Sequence, residues 1–209
     1  MSSMKKYELT EETKIIGDKT LFRIRALRSF GDIKAGDLGG FIENERNLSH
    51  EDNAWVSGNA KVIDNARVSD NALVIDNARV SGEAWVDGNA RVSGYALVID
   101  NARVSGYAKV GGKAIVGGEA WVSGEAQVSD DGLINSNNDY LYEKGLGSHN
   151  RPASFFKCKD RHIHVLCGCF DGNLDEFENK VKEEHGNSKY AKEYLGFIEV
   201  VKTHFEVCQ

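Results

Sequence analysis

A six-residue repeat constrains the fold of this chain more than any other feature. The pattern Ala-x-Val occurs thirteen times in succession between residues 54 and 128, with an alanine at every sixth position. Alternate side chains of an extended strand point to opposite sides, so the alanine and valine of each repeat face the same way. The residues after each valine are rich in Gly, Asp and Asn, which accept the left-handed backbone conformation of a sharp corner. Each repeat is therefore predicted to be a short strand followed by a corner.

Repeats of this kind predict a β-solenoid in which three repeats close one triangular coil. The thirteen repeats then give about four coils, with valines filling the interior and alanines where the walls approach closely. Stacks of this type need covered ends. The predicted organisation is an N-terminal β-rich cap (residues 1–50), a solenoid (51–134), a linker loop (135–153) and a C-terminal ββαα module of two strands and two helices (154–209).

The repeat resembles a known sequence class. Segments such as Val56-Ser57-Gly58-Asn59-Ala60-Lys61 look like the hexapeptide repeat of left-handed β-helix proteins, an architecture shared by many acyltransferases. The flanks, at residues 34–42, 47–50 and 167–186, resemble phage and prophage hexapeptide-repeat proteins, which are labelled polymer-forming or acetyltransferase-like. The resemblance implies a mainly β chain built on a left-handed parallel β-helix. It also implies a homo-oligomer, with a trimer favoured.

Residues one coil apart are expected to stack in columns on the outside of the solenoid. One column reads Arg67, Trp85, Arg103 and Trp121, and alternating guanidinium and indole groups favour cation–π stacking. We interpret this column either as a structural ladder or as a surface that grips a nucleotide or the adenine of acyl-CoA.

An apolar patch is predicted on a second face of the solenoid. Leu97, Ile99 and Ile115 point outward in neighbouring columns. A lone monomer rarely leaves such a patch bare, so we expect another subunit or the C-terminal module to cover it.

The segment 145–151 is the most site-like stretch of the chain. Two glycines allow backbone N–H groups to converge on an anion, while hydroxyl, amide and guanidinium groups add polar contacts. The candidate ligand-binding residues are Gly145, Gly147, Ser148, His149, Asn150 and Arg151. The alternative interpretation is a simple linker.

An acyl-CoA-dependent acetyltransferase is the competing enzymatic hypothesis, with acetyl-CoA as cofactor and His149 or His50 as general base. Histidine-dependent acyltransferases of this architecture need an imidazole at the subunit cleft. No histidine lies between His50 and His149, and no repeat is interrupted by an inserted loop. Both features argue against this hypothesis, and His50 is equally interpreted as a residue of the cap.

Two histidines and two cysteines near the C-terminus are residue types that could bind a metal, but their arrangement does not favour a site. Strand alternation places His162 and His164 on the face opposite Cys167 and Cys169, and zinc-finger spacing is absent. We therefore predict no metal there and assign Cys158 and Cys208 to the core.

Composition narrows the function classes. The formal net charge is −6, which does not favour generic nucleic-acid binding. No apolar run is long enough for a membrane span, no leader is apparent, and four cysteines without an export signal predict a cytoplasmic protein, in the host cytoplasm if phage-encoded. The sequence favours a non-enzymatic binding or scaffold protein without a cofactor, which sequesters a small anionic or nucleotide ligand such as a host defence signal. A module that docks on a host protein is the third hypothesis.

Overall fold

The computed structural model describes residues 5–206, and in it the repeats form a parallel β-solenoid of about five turns. Two-residue strands pair with the strand one coil later, as Val74, Val92 and Val110 do on one face. After three strands of the N-terminal cap, the strands are β4 (Trp55–Val56), β5 (Lys61–Val62), β6 (Arg67–Val68), β7 (Leu73–Val74), β8 (Arg79–Val80), β9 (Trp85–Val86), β10 (Arg91–Val92), β11 (Leu97–Val98), β12 (Arg103–Val104), β13 (Lys109–Val110), β14 (Ile115–Val116), β15 (Trp121–Val122), β16 (Gln127–Val128) and β17 (Leu133–Ile134). They build three parallel sheets with the orders β5-β8-β11-β14-β17, β4-β7-β10-β13-β16 and β6-β9-β12-β15.

The interior is filled as the repeat predicts. Every alanine and every valine of the thirteen repeats is at most 1% exposed. Together with the parallel pairing of successive coils in three sheets, this burial confirms the predicted solenoid.

The corners have the left-handed backbone that the sequence predicts. Asp64 has φ 61° and Gly82, one coil later, has φ 73°. The Asp64 carboxylate accepts a hydrogen bond from the Gly82 backbone N–H at 3.0 Å, which links successive coils. A side chain at Gly82 would place its Cβ 2.8 Å from the carbonyl oxygen of Asp100, so this corner needs glycine.

The N-terminal cap continues one sheet of the solenoid. Its antiparallel strands are β1 (Tyr7–Ile16), β2 (Lys19–Ala26) and β3 (Leu38–Ile42), and β3 pairs in parallel with β5. A 3-10 helix (Glu45–Asn47) and a bridge from Leu48 to Val68 follow. These segments lengthen the solenoid beyond the four coils that the count of repeats predicts.

Lys6 closes the open end of the first coil. Its side chain is fully buried and its Nζ donates to the carbonyl oxygens of Ala54 at 2.9 Å and Glu51 at 3.0 Å. Burial lowers the pKa of the Lys6 ammonium to about 8, with a further contribution from Arg28. The cap therefore satisfies backbone carbonyls that have no strand above them.

The C-terminal module has four strands, whereas the sequence predicts two. The antiparallel strands are β18 (Tyr140–Leu146), β19 (Arg151–Lys157), β20 (Ile163–Cys167) and β21 (Phe170–Asn173), in that order in the sheet. The segment 135–153, expected to be a linker loop, thus contains a strand and a 3-10 helix (Asn137–Asp139). A glycine in each of β18 and β21 weakens the strand pattern of these segments.

Two helices complete the module. Helix α1 (Leu174–His185) begins at an Asn173 cap and α2 (Lys189–His204) at a Ser188 cap, and these are the two helices that the sequence predicts. Neither helix within residues 5–206 combines the length and the hydrophobicity that crossing a bilayer requires. Cys208, predicted to be a core residue, lies outside the described residues.

Strand β19 joins the two cores. Phe156, fully buried, faces the solenoid, while its fully buried neighbour Phe155 faces the helices. A Cβ at Gly132 would lie 2.7 Å from Cγ1 of Val128 and 3.1 Å from the ring of Phe156. Glycine therefore suits this position of the last coil, because a methyl group would crowd both side chains.

The apolar patch of Leu97, Ile99 and Ile115 is partly exposed. The C-terminal module packs against the end of the solenoid, where β19 contacts β16 and β17. Cover of the patch by another subunit stays a prediction.

Candidate functional site

A cavity of about 300 Å³ lies in the C-terminal module, and we call it the loop cavity. The segment after β18, the β20–β21 turn and helices α1 and α2 form its walls. Its lining residues are Ser148, His149, Arg151, Cys167, Cys169, Phe170, Phe177, Lys180, Val181, Glu184, His185 and Tyr194. Its volume is at the lower end of the range for small-molecule sites.

The structure brings three of the six predicted loop residues to the cavity. Ser148, His149 and Arg151 line it, whereas the other three shape the backbone: Gly145, Gly147 and Asn150 have φ of 99°, 69° and 48°. Gly147 is also a packing requirement, because a Cβ there would lie 2.3 Å from the Tyr194 hydroxyl.

Two backbone N–H groups of the loop bind within the protein. Gly147 N–H donates to the Glu193 carboxylate at 3.2 Å, and Asn150 N–H donates to the Gly147 carbonyl at 3.4 Å. The expectation that the glycine-rich backbone converges on an anion is therefore not met by these two groups. Anion recognition in this cavity would depend on side chains.

The loop cavity is lined by both charged and apolar side chains. Arg151 and Lys180 are its permanent cations, and Glu184 is its carboxylate, at 3.0 Å from the Lys180 ammonium. Phe170 and Phe177 contribute apolar surface, with ring centroids 5.0 Å apart. Such a site suits a small ligand that has both an anionic group and a planar or apolar part.

Neither Cys167 nor Ser148 is arranged as an activated nucleophile in this cavity. Burial raises the pKa of the Cys167 thiol, so this group is protonated and unreactive at neutral pH. The Ser148 hydroxyl lies 2.9 Å from Nδ1 of His149, and both side chains are exposed. Exposure leaves this pair without the fixed orientation that base catalysis needs.

The second proposed general base, His50, lies in the N-terminal cap. Its ring stacks on Tyr7 with centroids 4.2 Å apart, and its Nδ1 accepts the backbone N–H of Lys6 at 3.2 Å. Burial lowers the pKa of His50, although Glu45 opposes the effect. These contacts favour its interpretation as a cap residue.

The column of alternating arginine and tryptophan forms a continuous ladder on one solenoid face. The guanidinium carbons of Arg67 and Arg103 lie 5.4 and 5.6 Å from the centre of the Trp85 ring, and Arg103 lies 5.3 Å from that of Trp121. Arg103 also pairs with Asp87 at 2.6 Å. Because arginines occupy both faces of the Trp85 ring, this geometry favours a structural ladder over a slot for a base.

Removal of the central arginine tests the ladder. Arg103→Ala is expected to lower the free energy of unfolding by about 1–2 kcal/mol, because two cation–π contacts are lost. Urea denaturation monitored by circular dichroism measures the change. The matched variant Arg91→Ala, at an exposed arginine outside the ladder, should change it by less than about 0.5 kcal/mol. Equal losses in both variants would show that the ladder adds no stability.

Sequence reasoning missed a second group of side chains that could act as ligands. As predicted, His164 lies on the face of β20 opposite Cys167, which faces the helices. Cys158 lies in the core, as the sequence predicts, and its sulfur also lies beside His162 and His164. The hairpin register brings these groups together, since it decides which residues of the two strands face each other.

The fold and cavities define a β-solenoid repeat protein with a ligand-sized cavity in its C-terminal module. A family model described as the YdcK β-solenoid repeat matches residues 66–82, which is about one coil. No curated protein matches the chain.

Proposed function

We propose that this protein is a non-enzymatic β-solenoid scaffold whose C-terminal module binds and sequesters a small anionic ligand of about mononucleotide size. The observation that carries the proposal is the loop cavity, where Arg151 and Lys180 both line the wall beside an apolar surface. The chain as a whole has a formal net charge of −6, whereas this cavity has two cationic side chains and one carboxylate.

The chemistry of the cavity favours binding over catalysis. Arginine recognises phosphate and carboxylate groups through paired N–H donors, and the aromatic rings can contact a base. The protonated Cys167 thiol and the position of His50 in the cap give an acyl transfer reaction little support. Because the flanks resemble phage proteins, we further propose that the ligand is a nucleotide signal of host defence.

A trimer is part of the proposal. Trp85 and Trp121 are 42% and 49% exposed, and the patch at Leu97 and Ile115 is partly exposed on another face. Subunit contacts would cover such surfaces. Light scattering in solution measures the mass, and a monomer would contradict this part of the proposal.

The ligand hypothesis is tested by thermal shift of the full chain with AMP, GMP, inorganic phosphate and acetyl-CoA. A ligand at a hundredfold excess over its Kd should stabilise the protein by about 2.7 kcal/mol. We expect a nucleotide to raise the Tm of the wild type and to leave the Tm of Arg151→Gln unchanged. The control Arg91→Gln, at an exposed solenoid arginine, should respond as the wild type does.

Two other results would overturn the proposal. If acetyl-CoA alone raises the Tm and His149→Ala abolishes acetyl transfer, the protein is an acetyltransferase. If no small molecule shifts the Tm and a host protein binds the solenoid face, the protein is a docking module.

A further inference from the structure

A second cavity, of about 580 Å³, lies where the end of the solenoid meets the β19–β20 hairpin, and we call it the hairpin cavity. It is separate from the loop cavity, which shares none of its lining residues. It is lined by Asp130, Asp131, Cys158, Lys159, Asp160, His162, His164, Gly172, Asn173 and Glu176.

The hairpin register places a sulfur and two imidazoles on one face. Lys157 pairs with Ile163, and the Cys158 backbone N–H donates to the His162 carbonyl at 3.0 Å, so Cys158 lies opposite His162. His164 is two residues further along and shares the face of His162. The Sγ of Cys158 and one nitrogen of each histidine lie within 4.8 Å of one another.

One ring nitrogen of each histidine, which we call the outer nitrogen, lies at hydrogen-bond distance from a carboxylate. Nδ1 of His162 lies 2.5 Å from Asp160 Oδ1, and Nε2 of His164 lies 2.7 Å from Asp171 Oδ1. An ionised carboxylate only accepts hydrogen bonds, so both of these nitrogens carry hydrogen. In metal sites the same carboxylate–histidine contact fixes the ring and directs the other nitrogen to the ion.

The other nitrogen of each ring, which we call the inner nitrogen, then carries a lone pair. Nε2 of His162 and Nδ1 of His164 are 3.4 Å apart. With neutral rings and both hydrogens on the outer nitrogens, neither inner nitrogen can donate, and two lone pairs at this distance repel. A positive charge between them removes the repulsion. Two nitrogens bound at 2.0–2.1 Å to a tetrahedral ion are about 3.3–3.4 Å apart, which matches the observed separation.

The surroundings of the group also favour a cation. Carboxylates surround it at Asp130, Asp131, Asp160, Asp171 and Glu176, and Lys159 contributes an ammonium to the cavity lining. Thiolate and imidazole ligands select zinc over magnesium or calcium. Cys158 is 4% exposed and His164 is 8% exposed, so two of the three groups are fixed by packing.

We propose that Cys158, His162 and His164 bind a Zn²⁺ ion, whose fourth position is open to the hairpin cavity. Three protein ligands with an open position is the arrangement of zinc sites that bind water or an anion. On binding, the Cys158 thiol releases its proton to solvent and coordinates as thiolate.

The test uses tag-free full-length protein that has been stripped with a chelator and then titrated with Co²⁺ and with Zn²⁺. We expect one ion per chain, the visible bands of tetrahedral Co²⁺, and a near-ultraviolet thiolate-to-cobalt band that Zn²⁺ abolishes. Cys158→Ser should remove the thiolate band. The control Cys169→Ser, at an exposed cysteine of the loop cavity, should keep it.

Graded variants separate a built site from surface binding. Asp171→Asn, which changes only the support of His164, is expected to weaken Zn²⁺ binding about 10–100-fold. His162→Ala should weaken Zn²⁺ binding by at least as much. Because the His162 side chain is about half exposed, we expect this variant to keep the fold, and circular dichroism checks that it does. Absence of the thiolate band in the wild type, or its persistence in Cys158→Ser, would overturn the proposal and leave a shared proton as the charge between the histidines.

Discussion

Val92→Asp is expected to unfold the solenoid or to lower its free energy of unfolding by about 3–5 kcal/mol. Val92 is fully buried in the middle of the stack and pairs with Val74 and Val110 on the adjacent coils. A carboxylate at this place has no partner and no water, and an unpaired buried charge costs this much. Urea denaturation followed by circular dichroism measures the loss.

The neighbouring position provides the matched control. Arg91 precedes Val92 in the same strand but points outward and is exposed. Arg91→Asp should change the free energy of unfolding by less than about 0.5 kcal/mol. If the two variants lose the same stability, the inward direction of the valines is wrong.

Phe156→Ala is expected to lower the free energy of unfolding by about 3–5 kcal/mol. The fully buried ring closes the end of the solenoid over Gly132 and Val128, and its removal leaves a cavity between the two cores. Because β19 also belongs to the sheet of the C-terminal module, the variant should expose this end of the solenoid to hydrogen exchange. Mass spectrometry of exchanged peptides from residues 121–134 measures that effect.

A conservative variant distinguishes packing from a general loss of the module. Phe156→Leu keeps most of the apolar volume and should cost less than about 1.5 kcal/mol. If residues 121–134 are equally protected from hydrogen exchange in the wild type and in Phe156→Ala, the module does not cover the end of the solenoid.

The solenoid was predictable because its information is local and repeated. The alternation of Ala60 and Val62 with Lys61 assigns the inner and outer faces, and the same pattern recurs in every coil. The stacking of Trp85 between Arg67 and Arg103 followed from the length of one coil alone. The extension by β3 was not predictable, because Phe41 and Ile42 lie outside the repeat and join it through a parallel pairing.

The hairpin cluster was not predictable because it depends on one turn residue. A two-residue turn at Lys159 and Asp160 would place Cys158 opposite Arg161. In the structure Arg161 adopts a left-handed conformation with φ 73°, so the turn has three residues and Cys158 lies opposite His162. A shift of one residue moves a side chain to a different partner and face.

The loop cavity was predictable only in part. Ser148, His149 and Arg151 stood out in the sequence because they follow two glycines. Their partners Lys180 and Tyr194 come from two different helices, whose packing against the sheet determines what they meet. No local pattern contains this information.

Sequestration of a small anion by the loop cavity is tested by identifying what the purified protein carries. Wild type and Arg151→Gln are denatured after identical purification, and the released small molecules are analysed by mass spectrometry. We expect an anionic compound in near-equal amount to the wild-type chain and its loss from the variant. The same compounds from both proteins, or none from either, would contradict it.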